Sequence, residues 1–332
     1  MSWRRKTAAA LGAVLALAAC SSGRGAETAE TLGGIPGATS IVATDPPETT
    51  LVPATTAAPT TAAAPTTIAA PPPTAPPPTD APSTAAPAPP TTTVPAVDAA
   101  AYAVYDMSSG EVLAAKHRNA RLPVGSLIKL LTAHVAYAEG QPAKIVTVPE
   151  NPLIEPDESN IGLIPGEKFQ RDLLIRAMLI VSANDAARAL ATDIAGGEAA
   201  YAEKMNAAAG ELGLRNTRAA NVTGLDAEGQ YSSALDMIRL GSRLMSNPTF
   251  QLTVNRVDAV LHDLRHPTTN DLLTIYPGAD GIKSGHTTQA GWCLLGSASR
   301  GGRRIVVAVL GAPTEAARNE AVVALLDWAF AR

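Results

Sequence analysis

Hydrophobic spacing divides the last 235 residues, Asp98 to Arg332, into strand-like ends and a helix-like middle. In "AYAVYDMSSGEVLAAK" apolar and polar positions alternate on either side of the turn signal Ser109-Gly110, which predicts a β-hairpin. "GWCLLGSASRGGRRIVVAVLGA" predicts a second hairpin, turning near Gly301-Gly302. Between them, helical spacing and good helix formers mark "SLIKLLTAHVAYAEG", "RDLLIRAMLIV", "NDAARALATDIAGG", "GEAAYAEKMNAAAGELG" and "SALDMIRLGSRLMS". Thr314 is placed to cap a last helix, "EAARNEAVVALLDWAFAR", with Val323, Leu326 and Phe330 on its apolar side. Strands at both ends with helices between them predict an α+β domain. One antiparallel sheet would be built from both termini, with a mostly helical middle region packed on and beside it. There is no internal repeat, and the length suffices for one domain with a substantial core.

The first 97 residues carry no such pattern. Residues 1–20, "MSWRRKTAAALGAVLALAAC", run from the positive Arg4, Arg5 and Lys6 through an apolar stretch to small residues and Cys20. That is the layout of a secretory signal, too short for a comfortable membrane span. "LAAC" resembles a bacterial lipobox, in which the cysteine is lipidated; the alternative is an ordinary signal peptide with a chance cysteine. A lipid on Cys20 would anchor the protein at a membrane without crossing it. Residues 21–97 hold 17 of the 27 prolines and no aromatic residue. Such a composition cannot offset the entropy of ordering, so an extended stalk is expected, with a coil average of roughly 50 Å as a lower bound.

A formal net charge of −4, with no Lys or Arg between Arg24 and Lys116, gives no case for nucleic acid. Two cysteines, Cys20 and Cys293, exclude a disulfide-stapled fold. Cys293, in the apolar run "GWCLLGSA", reads as a small core residue.

Three polar interruptions carry candidate chemistry. In "VGSLIKLLTAH", Ser126 and Lys129 stand three apart on an otherwise apolar helix, hence on one face. A lysine there is costly unless paired or neutral, and burial would make it a usable base for a serine nucleophile. A capping serine beside a surface lysine fits this stretch equally well. In "AMLIVSANDAARALA", Ser182, Asn184 and Asp185 break two apolar runs. They read either as a helix N-cap or as a wall in which Ser182 relays protons and Asn184 binds an amide. In "YPGADGIKSGHTTQAGW", Lys283-Ser284-Gly285 precedes a predicted strand. It is either an exposed basic turn or a carboxylate grip, with glycine admitting a substrate backbone.

Ser-x-x-Lys, Ser-x-Asn and Lys-Ser-Gly follow one another at gaps of 56 and 101 residues. The set resembles the motif triplet of penicillin-binding proteins and serine β-lactamases. Five stretches narrow the resemblance to the D-alanyl-D-alanine carboxypeptidases: "SANDAARALA", "MNAAAGELGLRNT", "GLDAEGQYSSALDMIRL", "TNDLLTIYPGADGIKSGHT" and "AGWCLLGSASRGGRRIVVAVLGA". It runs from about Ala101 to the C-terminus. It implies a β-lactamase/penicillin-binding-protein-like transpeptidase fold, with residues 98–332 as the catalytic domain. Ser126 would be the acylated nucleophile, Lys129 its base and Ser182 a proton relay. Asn184, Lys283, Ser284, Gly285 and His286 would bind substrate, with the backbone N–H groups of Ser126 and His286 as the oxyanion hole. The implied substrates are peptidoglycan stem peptides ending in D-Ala-D-Ala, with β-lactams as stable acylating agents. No metal or other cofactor is implied, and a monomer is expected.

The chain departs from the family pattern at Gly125, where alanine is common, at Ala183, where glycine is common, and at Ser284, where threonine is common. "NVTGLD" replaces the more usual Asn-Pro-His-Gly-Leu. Some relatives carry a C-terminal β-domain and anchor; here the N-terminal lipid and stalk are expected to replace them. Four alternatives stand beside the carboxypeptidase reading. A class A β-lactamase would need a deacylating Glu, for which "ELGLRN" from Glu211 is the nearest match, with Glu211 expected on an exposed helix end. An endopeptidase or transpeptidase would use the same constellation. A metal hydrolase is suggested by His262 and His266 of "HDLRH", though Pro267 follows and the segment reads as extended. A cell-wall-binding lipoprotein with an inactive site would not be acylated.

Overall fold

The computed structural model describes residues 93–150, 154 and 158–332. The expected signal segment with Cys20, and all but the end of the expected stalk, lie outside them. Among the described residues the first elements are strands β1 (Ala101–Asp106) and β2 (Glu111–Lys116). A single 3-10 turn, Gly125–Ile128, leads into α1 (Lys129–Glu139). A small hairpin, β3 (Ile145–Thr147) with β4 (Lys168–Gln170), is followed by α2 (Arg171–Ile180), α3 (Asn184–Ala195), α4 (Glu198–Glu211), α5 (Ala234–Leu244) and α6 (Pro248–Val254). A second small hairpin, β5 (Asp258–Leu261) with β6 (Leu264–Pro267), precedes the short α7 (Leu272–Ile275). Strands β7 (Ala279–Thr287), β8 (Gly291–Arg300) and β9 (Arg303–Ala312) then run into α8 (Glu315–Phe330).

The main sheet has the order β2-β1-β9-β8-β7 and is antiparallel throughout. The two hairpins expected from the sequence are there, and β1 pairs with β9, so the sheet is built from both ends of the domain. Successive strand residues point to opposite faces. Ala103, Leu295 and Ala308 therefore join a core with Leu130, Met178, Leu190 and Met237 of the middle helices. Their neighbours Val104, Leu294, Val307 and Val309 join a second core with Val322, Leu325 and Leu326 of α8. Burial on both faces explains why β9 reads as the unbroken apolar run "IVVAVL".

The structure corrects three expectations. Lys283-Ser284-Gly285 does not precede a strand; it lies inside β7, an edge strand. The buried side of α8 is formed by Val322, Leu325, Leu326 and Ala329, with Val323 and Phe330 only partly buried. At the start of α3 the N-cap position falls to Ala183, with no side-chain cap. Cys293 is a buried free thiol, and burial pushes its pKa up to about 11, which leaves it inert. Thr314 does cap α8: its hydroxyl accepts from Ala317 N at 3.1 Å. Thr314→Ala is expected to cost about 1 kcal/mol, read as a lower denaturant midpoint with an unchanged slope. No helix among the described residues is long and apolar enough to cross a membrane.

Candidate active site

The three sequence motifs, far apart along the chain, converge on one open cleft of about 510 Å³ between the edge strand β7 and the helical region. Ser126, Ser182, Asn184, Ser284, Gly285 and His286 all line it.

Ser126 sits in the 3-10 turn, and Lys129 is the first residue of α1. Three residues apart, the Lys129 side chain runs back along the turn, and Nζ donates to Ser126 Oγ at 2.9 Å. Lys129 is completely buried, and Nζ also donates to the Thr223 carbonyl at 2.5 Å. The loop bearing that carbonyl is shaped by Asn221, whose Oδ1 accepts from Thr223 N at 3.2 Å and Gly224 N at 2.8 Å. This role belongs to the Thr223 backbone, so the departure at "NVTGLD" leaves it intact. Burial is the main force holding the Lys129 pKa well below the ordinary lysine range. Lys283 and Arg188 add to it, and Glu158 and Asp185 oppose it.

Glycines let three backbones meet at the serine. Gly125 has φ +54°, and a side chain there would meet His286 N at 2.9 Å. A Cβ on Gly285 would stand 2.5 Å from Val124 O and 3.1 Å from Ser126 N, and one on Gly224 2.2 Å from Gly125 O. The reason for glycine at 285 is thus this chain's own serine turn, in place of the substrate backbone expected from the sequence. The same packing holds the edge of β7 at His286 against the N-terminal side of Ser126.

The second motif lies between α2 and α3. Ser182 adopts φ +66° and is nearly buried, yet no hydrogen bond from its hydroxyl to Lys129 exists among the described residues. Asn184 opens α3; its Nδ2 donates to Glu158 Oε2 at 2.9 Å. Asp185 is turned away to the preceding loop, where it accepts from Ile161 N and Leu163 N, each at 3.1 Å. In the third motif, Lys283 is buried and Ser284 Oγ lies 2.8 Å from Thr269 Oγ1. Burial, with Arg318 adding, pushes the Lys283 pKa down to about 7. His286 is exposed, with its ring 4.1 Å from that of Trp292.

Several residues of the cleft escaped the sequence reading: Glu158, Thr269, Trp292 and Arg318. Arg318 left a signal. It stands four residues before Val322 on the buried face of α8, a charge on an apolar stripe, as Lys129 is on α1. Its guanidinium donates to Asp271 at 2.7 Å. Thr269, Glu158 and Trp292 sit in loops or at a strand start, where no spacing marks them. Of the residues behind the alternatives, Glu211 is exposed at the end of α4 and does not line the cleft. His262 lies at the tip of the β5–β6 hairpin against Glu167, whereas His266 is on β6.

Residues 88–314 match the family described as D-alanyl-D-alanine carboxypeptidase, peptidase S11. The Bacillus subtilis D-alanyl-D-alanine carboxypeptidase DacF is 35% identical over 237 residues, covering 68% of this chain and 61% of DacF. A solved D-alanyl-D-alanine carboxypeptidase from Mycobacterium tuberculosis superposes with a TM-score of 0.69 at 32% identity, over 74% of this chain and 96% of its own. A mutant Streptomyces K15 DD-transpeptidase superposes with a TM-score of 0.68 at 27% identity, over 72% of this chain and all of its own. The chain spans 61% to 65% of the length of the first curated relatives it matches. With a family match over most of the domain that carries the cleft, and with the sequence identity and shared fold beside it, the chain belongs to the D-alanyl-D-alanine carboxypeptidase family.

Proposed function

We propose that residues 98–332 form a serine-type D-Ala-D-Ala carboxypeptidase acting on peptidoglycan stem peptides. The observation that carries this reading is a fully buried Lys129 amine 2.9 Å from a serine hydroxyl in a solvent-open cleft. The neutral amine takes the Ser126 proton as Oγ bonds to the carbonyl carbon of the penultimate D-Ala. The oxyanion that forms is met by the backbone N–H groups of Ser126 and His286. Collapse breaks the peptide bond, the leaving nitrogen takes a proton, and D-Ala departs. Water then cleaves the acyl-enzyme and restores Ser126. Lys283 and Ser284 hold the terminal carboxylate, with Arg318 reinforcing the positive end of the cleft, and Asn184 binds the peptide amide. Ser182 passes a proton between Lys129 and the leaving nitrogen, a step that needs a closer approach than the free site has. A β-lactam places its strained carbonyl where the peptide carbonyl goes and leaves Ser126 acylated.

Incubating the full-length protein with stem pentapeptide and weighing the products tests the reading. Loss of one D-Ala supports it. Rapid hydrolysis of nitrocefin would make the protein a β-lactamase, and unchanged pentapeptide with no penicillin labelling would leave a peptide-binding role. A second reading, D,D-transpeptidase, is favoured by the likeness to the Streptomyces enzyme. Crosslinked products would select it.

A further expectation concerns Lys283. With a pKa of about 7 in the free site, it is mostly neutral at pH 8. A bound carboxylate favours its ammonium form, so binding a D-Ala-D-Ala peptide takes up a proton at pH 8. The uptake vanishes below about pH 6, where the lysine is already charged. Calorimetry on Ser126→Ala in two buffers of different ionisation enthalpy measures it.

Export and anchoring rest on sequence alone: the signal segment 1–20 with a lipid on Cys20, and residues 21–97 as a spacer to the domain. Mass spectrometry of Cys20 checks the lipid. We expect the protein to act as a monomer.

A further inference from the structure

Glu158 belongs to the loop between β3 and β4 and contributes to the wall of the same cleft. Its Oε2 accepts from Asn184 Nδ2 at 2.9 Å and from Arg188 Nη1 at 2.6 Å, and its Oε1 from Arg188 Nη2 at 3.2 Å. Arg188 stands one turn after Asn184 on α3, and Glu198 Oε1 accepts from its Nε at 3.0 Å. The pair is largely withdrawn from water, at 7% exposure for Glu158 and 13% for Arg188. A carboxylate only accepts hydrogen bonds, so it can take the Asn184 amide by its nitrogen alone. The Asn184 oxygen is left buried without a partner. Leaving such an atom unsatisfied is unfavourable, so an N–H donor is needed to complete it.

We propose that Glu158 and Arg188 form a positioning pair for this site. The carboxylate, itself held by the Arg188 guanidinium, fixes the Asn184 amide so that its oxygen is the atom offered to an N–H of the reacting complex. The proposal rests on the reading of Lys129 as the base. The charged groups that act on Lys129 through space are Lys283 on β7, Arg188 and Asp185 on α3, and Glu158 on the loop. Among these, Glu158 favours the ammonium form of Lys129 and Arg188 disfavours it.

Opposite signs give the test. In full-length protein carrying 13C-labelled lysine, the Lys129 titration is followed by NMR beside the pH profile of acylation by a fluorescent penicillin. Glu158→Gln removes the anion that favours the ammonium form and should move both to lower pH. Arg188→Gln removes the cation that disfavours the ammonium form and should move both to higher pH, each by about half a unit or more. The double variant should return toward wild type. Glu158→Leu, which removes the acceptor, should also speed hydrogen exchange of the Asn184 side-chain amide. Shifts of one sign in both single variants, no shift, or unchanged Asn184 exchange would overturn the proposal, since a merely structural pair would weaken the site without opposite titrations. If Arg188→Gln does not fold, the direction in Glu158→Gln alone decides. The NMR arm needs no turnover: an unlabelled wild type would count against the carboxypeptidase reading while the Lys129 titration still decides on the pair.

Discussion

Ser126→Ala is expected to leave the folded protein unlabelled by a fluorescent penicillin and to reduce D-Ala release by on the order of 10⁴-fold or more. Only the hydroxyl is lost. It is half-buried, and among the described residues its one hydrogen bond comes from Lys129, so the fold has little else to lose. The cleft, the edge strand and Lys283 remain, so the variant should still bind a D-Ala-D-Ala peptide. A loss of 10⁴ corresponds to about 5 kcal/mol of transition-state stabilisation, which a covalent intermediate accounts for and a binding contact does not. Equal labelling of variant and wild type would put the nucleophile elsewhere.

Lys129→Met is expected to lower the acylation rate by about 10³-fold, within the range for losing a general base. Methionine keeps the aliphatic stem in a site that is fully buried and removes the amine. Because burying that amine is unfavourable, thermal stability should hold or rise although the Thr223 carbonyl loses a donor. Lys129→Arg should fail equally, since a guanidinium stays protonated at any accessible pH. In the wild type the rate should climb with pH as the amine loses its proton, at a pH below the ordinary lysine range because burial and Lys283 lower its pKa. The methionine variant should lack that limb. A methionine variant that keeps wild-type rate and profile would remove Lys129 from the chemistry.

Much of the domain was legible beforehand for local reasons. Strand alternation and helical spacing are written into short windows, which is why both hairpins, the middle helices and the Thr314 cap were found. Lys129 was detectable because a polar residue interrupts an apolar face. Arg318 had the same mark and was passed over, because the buried stripe of α8 was set one residue off. The edge-strand position of Lys283 is hidden because the preceding "GADGI" has glycines and an aspartate, which read as turn, although pairing with β8 carries Ala279, Gly281 and Ile282 as strand.

By itself the sequence determined the α+β class, the polar residues that carry the motifs, and the resemblance that orders them. It did so because secondary structure and motif identity depend on neighbours along the chain. The tertiary structure alone decided which atoms meet: the Thr223 carbonyl on Lys129, Gly285 against the serine turn, Arg318 on Asp271, and Glu158 on Asn184. Those contacts join residues up to 161 positions apart, as Gly285 and Val124 are. Burial, which sets the lysine pKa values, belongs to the packed core and to no window of sequence.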